Sequence, residues 1–549
     1  SIASYIAQSD PKIQQVFESW KNLTPDALLS NLEKNQDLKS ALLQETPWVA
    51  EASSESQQKQ KIAALFDVNT MKAKLEDNLS KLKKMQLSDG AWPWFDGMPE
   101  NSYITRNIVT GLAHLDHLGV KNIRDDRASR DMMTKAVRYL DIQIEKDYDL
   151  LKKYPGKMNE NHLGPDQIQY LYCRSYFMKD IPLESSTQKA FDYFRGQAEK
   201  YWLKNDLYFQ GMIALALNRL GNTTVPEIIL RSLSEKALHS PEMGMYWAAV
   251  AGYEWYHAPV ETQALLIEAY DEVKADRASV DEMKIWLLKQ KQTQNWQTGR
   301  ATADAVYALL LKGSNFLSSV PDVLINLGND KIDPKKLMDQ KVEAGTGYFQ
   351  VTRNGREIRP DMGNLTITKT GEGIAWGALY WQYFENLDKI SSAPSALKLE
   401  KKIFLEKNTS SGPVLTEIGK SSGEVLHAGD RLKVRIVLTV DRNLEYVHLK
   451  DMRASALEPG TSATTFSLPG GESEQLSGYR YKDGLGYYQA TTDQATNFFF
   501  DYLPKGTFVF EYPLVVNAAG EYSNGIATVQ CLYAPEFSSH SGGIHLSVK

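Results

Sequence analysis

Apolar residues recur at three- and four-residue spacing from residue 1 to about residue 317, which predicts a nearly all-helical region. The clearest segments are 132–142, 167–177, 187–203, 208–220, 225–233, 243–256, 260–273, 280–289 and 301–312. Short helices alternating with short turns are the pattern of stacked helical hairpins, either an open solenoid or a closed α/α toroid. Near residue 317 the period changes to two. Residues 323–328, 348–352, 365–368 and an aromatic-rich run at 374–384 read as strands, with Asn354-Gly355 as a hairpin turn, giving a small β unit over 318–393. Past a Ser/Pro linker, strands at 397–405, 431–440, 447–452, 487–491, 497–502, 506–516 and 526–534 predict an antiparallel β-sandwich over 394–549. The expected fold is therefore multidomain, α then β: an α/α toroid of helical hairpins over 1–317, the β unit, then the sandwich.

One stretch breaks the helical pattern with far more aromatic surface than a connection needs. Residues 86–106 read QLSDGAWPWFDGMPENSYITR, with Trp92, Trp94, Phe95 and Tyr103 between two helical runs and Arg106 at its end. The turn returns in worn form about 200 residues later: Gln86 precedes Trp92 by six positions, as Gln290 precedes Trp296, and Thr105 precedes Leu112 by seven, as Thr302 precedes Leu309. Such an internal repeat favours closure of the toroid. The rings can be a plug between helix ends or a stacking platform, and both hold if one ring is exposed.

Composition narrows the function. A net charge of −6 with both signs interspersed gives no basic face for nucleic acid and no polybasic run for a lipid surface. No apolar run approaches the roughly 18 residues a spanning helix needs. Cys173 and Cys531 are the only thiols, one in a helical and one in a strand pattern, each read as a buried small side chain or strand residue. Ser1, without a methionine and inside a helical pattern, reads as the start of a processed or cut chain. Phosphate loops, zinc-protease helices, paired cysteines and nucleophile elbows are missing from the sequence. His114 and His117 flank Asp116 one turn apart, but no third ligand sits at a metal-site spacing, so they read as ordinary histidines on a partly exposed face. Asp89, Asp96 and Glu100 could supply a glycosidase acid and base, although Asp89-Gly90 and Asp96-Gly97 are also plain turn chemistry. No catalytic residue, metal or cofactor is assigned.

Three stretches resemble the C-terminal third of the α2-macroglobulin family, bacterial branch: the Glu45-Thr46-Pro47-Trp48 turn; Gly90-Ala91-Trp92-Pro93-Trp94-Phe95 followed by Tyr103-Ile104-Thr105-Arg106; and, near the end, Leu503-Pro504-Lys505-Gly506 with Tyr512, Gly520 and Leu532-Tyr533-Ala534-Pro535-Glu536. The resemblance implies that the toroid is the thioester-type domain, the β unit half of a CUB-type domain whose partner strands precede Ser1, and the sandwich the terminal macroglobulin domain, which binds receptors in animal relatives. It also implies that residues 372–377 line the packing face of the β unit. The family's Cys-x-Glu-Gln thioester motif is not in this sequence, so it lies upstream of Ser1 or is lost. Neither cysteine replaces it, since neither has a glutamine three residues on.

The resemblance implies an endopeptidase inhibitor of the cell envelope, periplasmic or extracellular and lipid-anchored through an upstream part, and not an enzyme. Its partners would be proteases, the upstream macroglobulin domains and a peptidoglycan-building penicillin-binding protein. Trp92, Trp94, Phe95, Tyr103, Arg106 and Trp296 are its expected interface, the aromatic rings shielding a reactive acyl bond from water. Two other readings stand beside it. A polysaccharide lyase or glycosidase would use a tyrosine as acid, a histidine as base and an arginine on the sugar carboxylate, drawn from Tyr103, Arg106 and Asn161-His162 in a cleft with Trp92 and Trp94. A noncatalytic cell-envelope scaffold would use only the helical surface.

Overall fold

The computed structural model describes residues 68–119, 124–154, 157–248, 258–296, 298–311, 322–333, 351–370, parts of 375–393, and 395–419, 425–460, 478–482 and 484–549. The turn at 45–48 and the first predicted helices lie outside these. Among the described residues, one compact unit comprises those up to 289 and 296–376, and the other 290–295 and 377–549.

In the first unit α1 (Val68–Met85) leads through a two-stranded hairpin, β1 (Trp92–Pro93) and β2 (Glu100–Asn101), into α2 (Ser102–His117). There follow α3 (Arg127–Lys152), α4 (Pro165–Ser175), α5 (Ser185–Tyr201), α6 (Leu207–Arg219), α7 (Thr224–Glu235), α8 (Pro259–Ala269), α9 (Arg277–Thr293) and α10 (Gly299–Leu310). The helices divide by burial. In α4 residues 168–175 are buried without interruption, as are 208–217 in α6 and, but for residue 262, 261–269 in α8. A helix apolar all round must be surrounded. By contrast α3, α5 and α7 bury one stripe, for example Met132, Met133, Ala136, Val137 and Leu140 in α3.

Packing follows that division. α2 packs on α4, α4 on α6, α6 on α8 and α8 on α10, while α3 covers α2 and α5, and α7 covers α6. The row then returns to its start: His114 of α2 stacks on Tyr307 of α10 at 3.8 Å between ring centroids, and Arg300 of α10 donates to the Tyr103 hydroxyl at 3.1 Å. Five inner helices thus form a closed ring, the α/α toroid expected from the hairpin pattern and the repeat. One predicted helix fails: of residues 243–256, Gly244–Tyr246 is a strand, β4, paired with β3 (Leu238–Ser240), and 249–257 lie outside the described residues. Gly244 at φ 67° with its α-carbon against the Glu282 carbonyl is a turn position that a helix cannot use.

Two predicted strands of the small β unit are present, 323–328 as β5 (Asp322–Leu327) and 365–368 as β7 (Leu365–Thr370), while residues 351–352 carry no strand and 348–350 lie outside the described residues. β5 pairs antiparallel with β6 (Asp330–Ile332) and β7. The hairpin turns at Gly328-Asn329 with Gly328 at φ 59°, while Asn354-Gly355 makes an isolated turn closed by Glu357 N–H on Asn354 O. The described residues of 374–384 are exposed and carry no strand; Ala375 and Gly377, expected on a packing face, are exposed too. Aromatic β propensity forms a strand only where a partner edge is supplied.

All seven sandwich strands are present. A five-stranded sheet runs β12 (Leu457–Pro459), β16 (Gly506–Val516), β10 (Arg431–Val440), β8 (Leu397–Thr409), β9 (Gly412–Glu417). A six-stranded sheet runs β13 (Gly478–Lys482), β14 (Leu485–Thr491), β15 (Ala495–Leu503), β11 (Leu444–Met452), β18 (Ala527–Cys531), β19 (Ser538–His540). β17 (Gly520–Asn524) and β20 (Ile544–Val548) form a separate pair. Alternation along β8 and β10 sends Leu397, Leu399, Ile403, Leu405, Leu432, Val434, Ile436 and Leu438 into one core with Val447, Leu449, Phe498, Phe500 and Val529 of the other sheet. Lys401 keeps that inward register. It is buried, so its ammonium is pushed to a lower pKa by desolvation, and it is held by Asp451 at 2.5 Å and by the carbonyls of Met452 and Gly525.

Candidate functional site

The aromatic stretch is held by its own side chains. Gln86, just past α1, donates through Nε2 to Gly90 O and to Met132 O of α3, both at 2.9 Å. Asp89 accepts from Ala91 N–H, and Gly90 sits at φ 95°. A β-carbon there would lie 2.4 Å from the Lys135 carbonyl oxygen. Gly90→Ala should therefore cost about 2–4 kcal/mol, strain plus overpacking. Gly97, at φ 82° with open space around it, carries the strain alone, and Gly97→Ala should cost about 1–2 kcal/mol. Urea unfolding of the two variants measures the difference; equal losses would refute the close approach to α3.

Past Gly90 the six named residues part company. Trp92 is 1% exposed, its indole N–H donating to Leu82 O at 2.8 Å and its backbone N–H to Thr105 Oγ1 at 2.9 Å. It is the plug. Trp94 and Phe95 are 50% and 62% exposed, with Met98 at 47%, and Trp94 stacks on Tyr103 at 6.0 Å. Arg106 is buried, donating to Gln169 Oε1 and to Asp166 of α4, so its guanidinium is committed to joining α2 to α4. The repeat is real where it caps helices. Asn101 accepts from Ile104 N–H and Thr105 donates to Asn101 O, as Thr298 accepts from Ala301 N–H and Thr302 donates to Thr298 O. Trp296 is partly buried against the ring core, and its indole N–H makes no hydrogen bond among the described residues.

A second cluster was not foreseen. His114, read as one of two ordinary histidines on a partly exposed face, is half-buried and belongs to a polar hub to which each of the five inner helices contributes. Glu268 of α8, 2% exposed, accepts from Tyr172 of α4 (2.6 Å) and Tyr176 just past its end, from Tyr307 of α10 (2.8 Å) and from Arg219 of α6 (2.9 Å). Because the one proton on Tyr172 goes to Glu268, His114 Nε2, 3.1 Å from that hydroxyl, is the donor to it. Arg219 also grips Glu272 and lies over the Tyr176 ring at 3.8 Å. Burial opposes the charge on Glu268, but Arg219 and the hydroxyl donors outweigh it and hold the carboxyl down to about 2. Burial lowers His114 to about 4, so the ring is neutral. In the sequence Glu261 and Glu268 fall seven apart in one helical segment and Tyr172 and Tyr176 four apart in another, but nothing in that spacing joins the two segments.

These groups bind one another and leave little room. Beside the hub a small cavity of about 40 Å³, with room for water, is lined by Ala113, Asp116, His117, Arg124, Tyr176 and Phe177. Among the described residues no group of three or more His, Cys, Asp or Glu could hold a metal, and no helix is long and apolar enough to cross a membrane. Cys173 and Cys531 are buried, which pushes their thiols up to about 12 and about 11, far from thiolates at neutral pH.

A ring of helical hairpins followed by antiparallel sheets is thus the class of protein the fold defines. Residues 397–536 match the Bacterial Alpha-2-macroglobulin MG10 domain, which bears out the family resemblance over the terminal sandwich. No curated protein matches the sequence. Among solved structures, Escherichia coli alpha-2-macroglobulin activated by porcine elastase is similar at 14% identity over 90% of this chain and 39% of that one, with a TM-score of 0.38. Salmonella alpha-2-macroglobulin reacted with methylamine is 15% identical over 100% and 31% of the two chains (TM-score 0.30). Native E. coli alpha-2-macroglobulin from domain MG7 to the C-terminus is 14% identical over 98% and 75% (TM-score 0.28). This chain spans about two fifths of the first of these.

Proposed function

We propose that the chain acts within a bacterial alpha-2-macroglobulin-like inhibitor that traps proteases and is not an enzyme. The MG10 match over the terminal sandwich carries this reading. In it, 1–317 is the thioester-type toroid, 318–393 the CUB-like half and 394–549 the macroglobulin domain, working in the periplasm or outside the cell. Upstream macroglobulin domains and a peptidoglycan-building protein are its further partners. Trp94 and Phe95 are the exposed part of the interface, on a base made by Trp92 and Tyr103; Arg106 and Trp296 hold that base in the ring. The lyase reading gains nothing, since Arg106 is buried and already paired.

The test uses the full-length protein. After incubation with trypsin or elastase, protein-sized substrate should be spared while a small peptide substrate is still cut. Unchanged digestion of the protein substrate would sink the proposal. Methylamine pretreatment then separates the routes: a released thiol means covalent capture through an upstream Cys-x-Glu-Gln, and trapping without a thiol means noncovalent enclosure.

A further inference from the structure

The alternation that fills the sandwich core sets one lysine among apolar side chains. Lys401 of β8 points inward between Leu399 and Ile403, and across the gap between the two sheets it meets Asp451 of β11; their side chains are 1% and 0% exposed. Nζ lies 2.5 Å from Asp451 Oδ1, yet Oδ1 takes part in no hydrogen bond among the described residues. Nζ donates instead to the carbonyls of Met452 and Gly525, at 2.6 and 2.8 Å. Two carbonyls account for both hydrogens of a neutral amine, so its lone pair is left for the carboxyl. Cγ is one C–O bond beyond Oδ1 and therefore no more than about 3.7 Å from Nζ, close to the distance at which reacting atoms meet. The second oxygen, Oδ2, accepts from the hydroxyl of Tyr512 on β16, whose ring packs against Phe498 at 6.2 Å. Arg453, the neighbouring cation, is directed to Thr496 Oγ1 at 3.0 Å and to the Asp493 carbonyl at 3.2 Å.

We propose that Lys401 and Asp451 condense to an isopeptide bond that ties the two sheets of the sandwich together covalently. The reaction releases one water and needs no co-reactant. A dry, apolar surrounding favours the neutral pair over the ion pair, so one proton passes from Nζ to Oδ1; burial already lowers the affinity of Lys401 for that proton. Nζ then attacks Cγ, and the negative charge that develops on Oδ2 is met by the Tyr512 hydroxyl already aimed at it. A second proton moves from Nζ to Oδ1, the Cγ–Oδ1 bond breaks, and Oδ1 leaves as water. The amide nitrogen keeps one hydrogen, and Oδ2 becomes the amide carbonyl oxygen. This inference is independent of protease trapping.

Mass spectrometry of the whole chain under denaturing conditions tests it. Wild type should weigh about 18 Da less than its sequence, the mass of one water. Tandem spectra of a digest should show a branched peptide joining Lys401 to Asp451. Lys401→Met should restore the full mass and run more slowly in a denaturing gel, where the cross-linked loop keeps wild type compact. Tyr512→Phe retains the ring and removes the donor to Oδ2, so it should leave a mixture of the two masses. The wild-type mass is read on unfolded protein, so the result does not depend on either variant folding. A wild-type mass equal to that of the sequence, or a deficit that maps to any other residues, leaves an ordinary ion pair and overturns the proposal.

Discussion

Replacing Glu268 with alanine should destabilise the helical unit by about 3–5 kcal/mol, the usual consequence of stripping one partner from a buried charged network. The carboxylate is the acceptor on which Tyr172, Tyr176, Tyr307 and Arg219 converge, and none of these donors reaches bulk water easily. Arg219 would retain Glu272, which is 25% exposed and a weaker counter-charge. Replacing both Glu268 and Arg219 with leucine or methionine should cost less than the single alanine change, because no buried charge is then left alone. Urea unfolding followed by helical circular dichroism distinguishes the two cases. A loss below about 1 kcal/mol for Glu268→Ala would mean that the hub contributes register but no stability.

The same hub sets a pH dependence with a defined sign. His114 is held near 4 against 6.5 unfolded, and Glu268 near 2 against 4.5. Both native values are lower, so the unfolded chain binds more protons and stability falls as pH falls. The contribution is complete above about pH 6.5 and begins to decline there through His114. It declines further below about 4.5 through Glu268, each group accounting for at most about 3 kcal/mol. The two are coupled, so their effects do not simply add. His114→Phe should flatten the stability profile between pH 6.5 and 4 while leaving the lower limb, and an unchanged profile would count against the assignment.

What the sequence made legible follows from which forces act locally. Periodicity alone located α3 to α10 and all seven main sandwich strands, since burial on one face repeats with the geometry of the element. The strands it missed, such as β17 with Glu521 and Ser523 or β19 with two serines and a histidine, are short and polar, and exist because a neighbouring strand supplies hydrogen bonds. Residues 243–256 misled because an apolar run has no say over the φ of Gly244. Of the candidate site, the caps and the turn at Asp89-Gly90 could be read from local chemistry. The Glu268 hub could not, because its members come from five helices and only ring closure brings them together.

The aromatic turn yields the second large effect. Trp92→Ala should cost about 3–5 kcal/mol, since it empties a fully buried site and leaves the Leu82 carbonyl and the space beneath it without a partner. Trp94→Ala and Phe95→Ala should each change stability by less than about 1 kcal/mol, because half or more of each ring is already in water. Function should order them the other way. If the exposed pair is the interface, the double alanine variant of the full-length protein folds normally and spares protein substrate from an added protease less well. A Trp92→Ala protein that does fold keeps Trp94 and Phe95 and so keeps the contact in proportion to its folded fraction. Comparing unfolding midpoints with residual protease protection across the three variants separates plug from interface. Equal protection by wild type and the Trp94/Phe95 double variant would leave the turn a structural element alone.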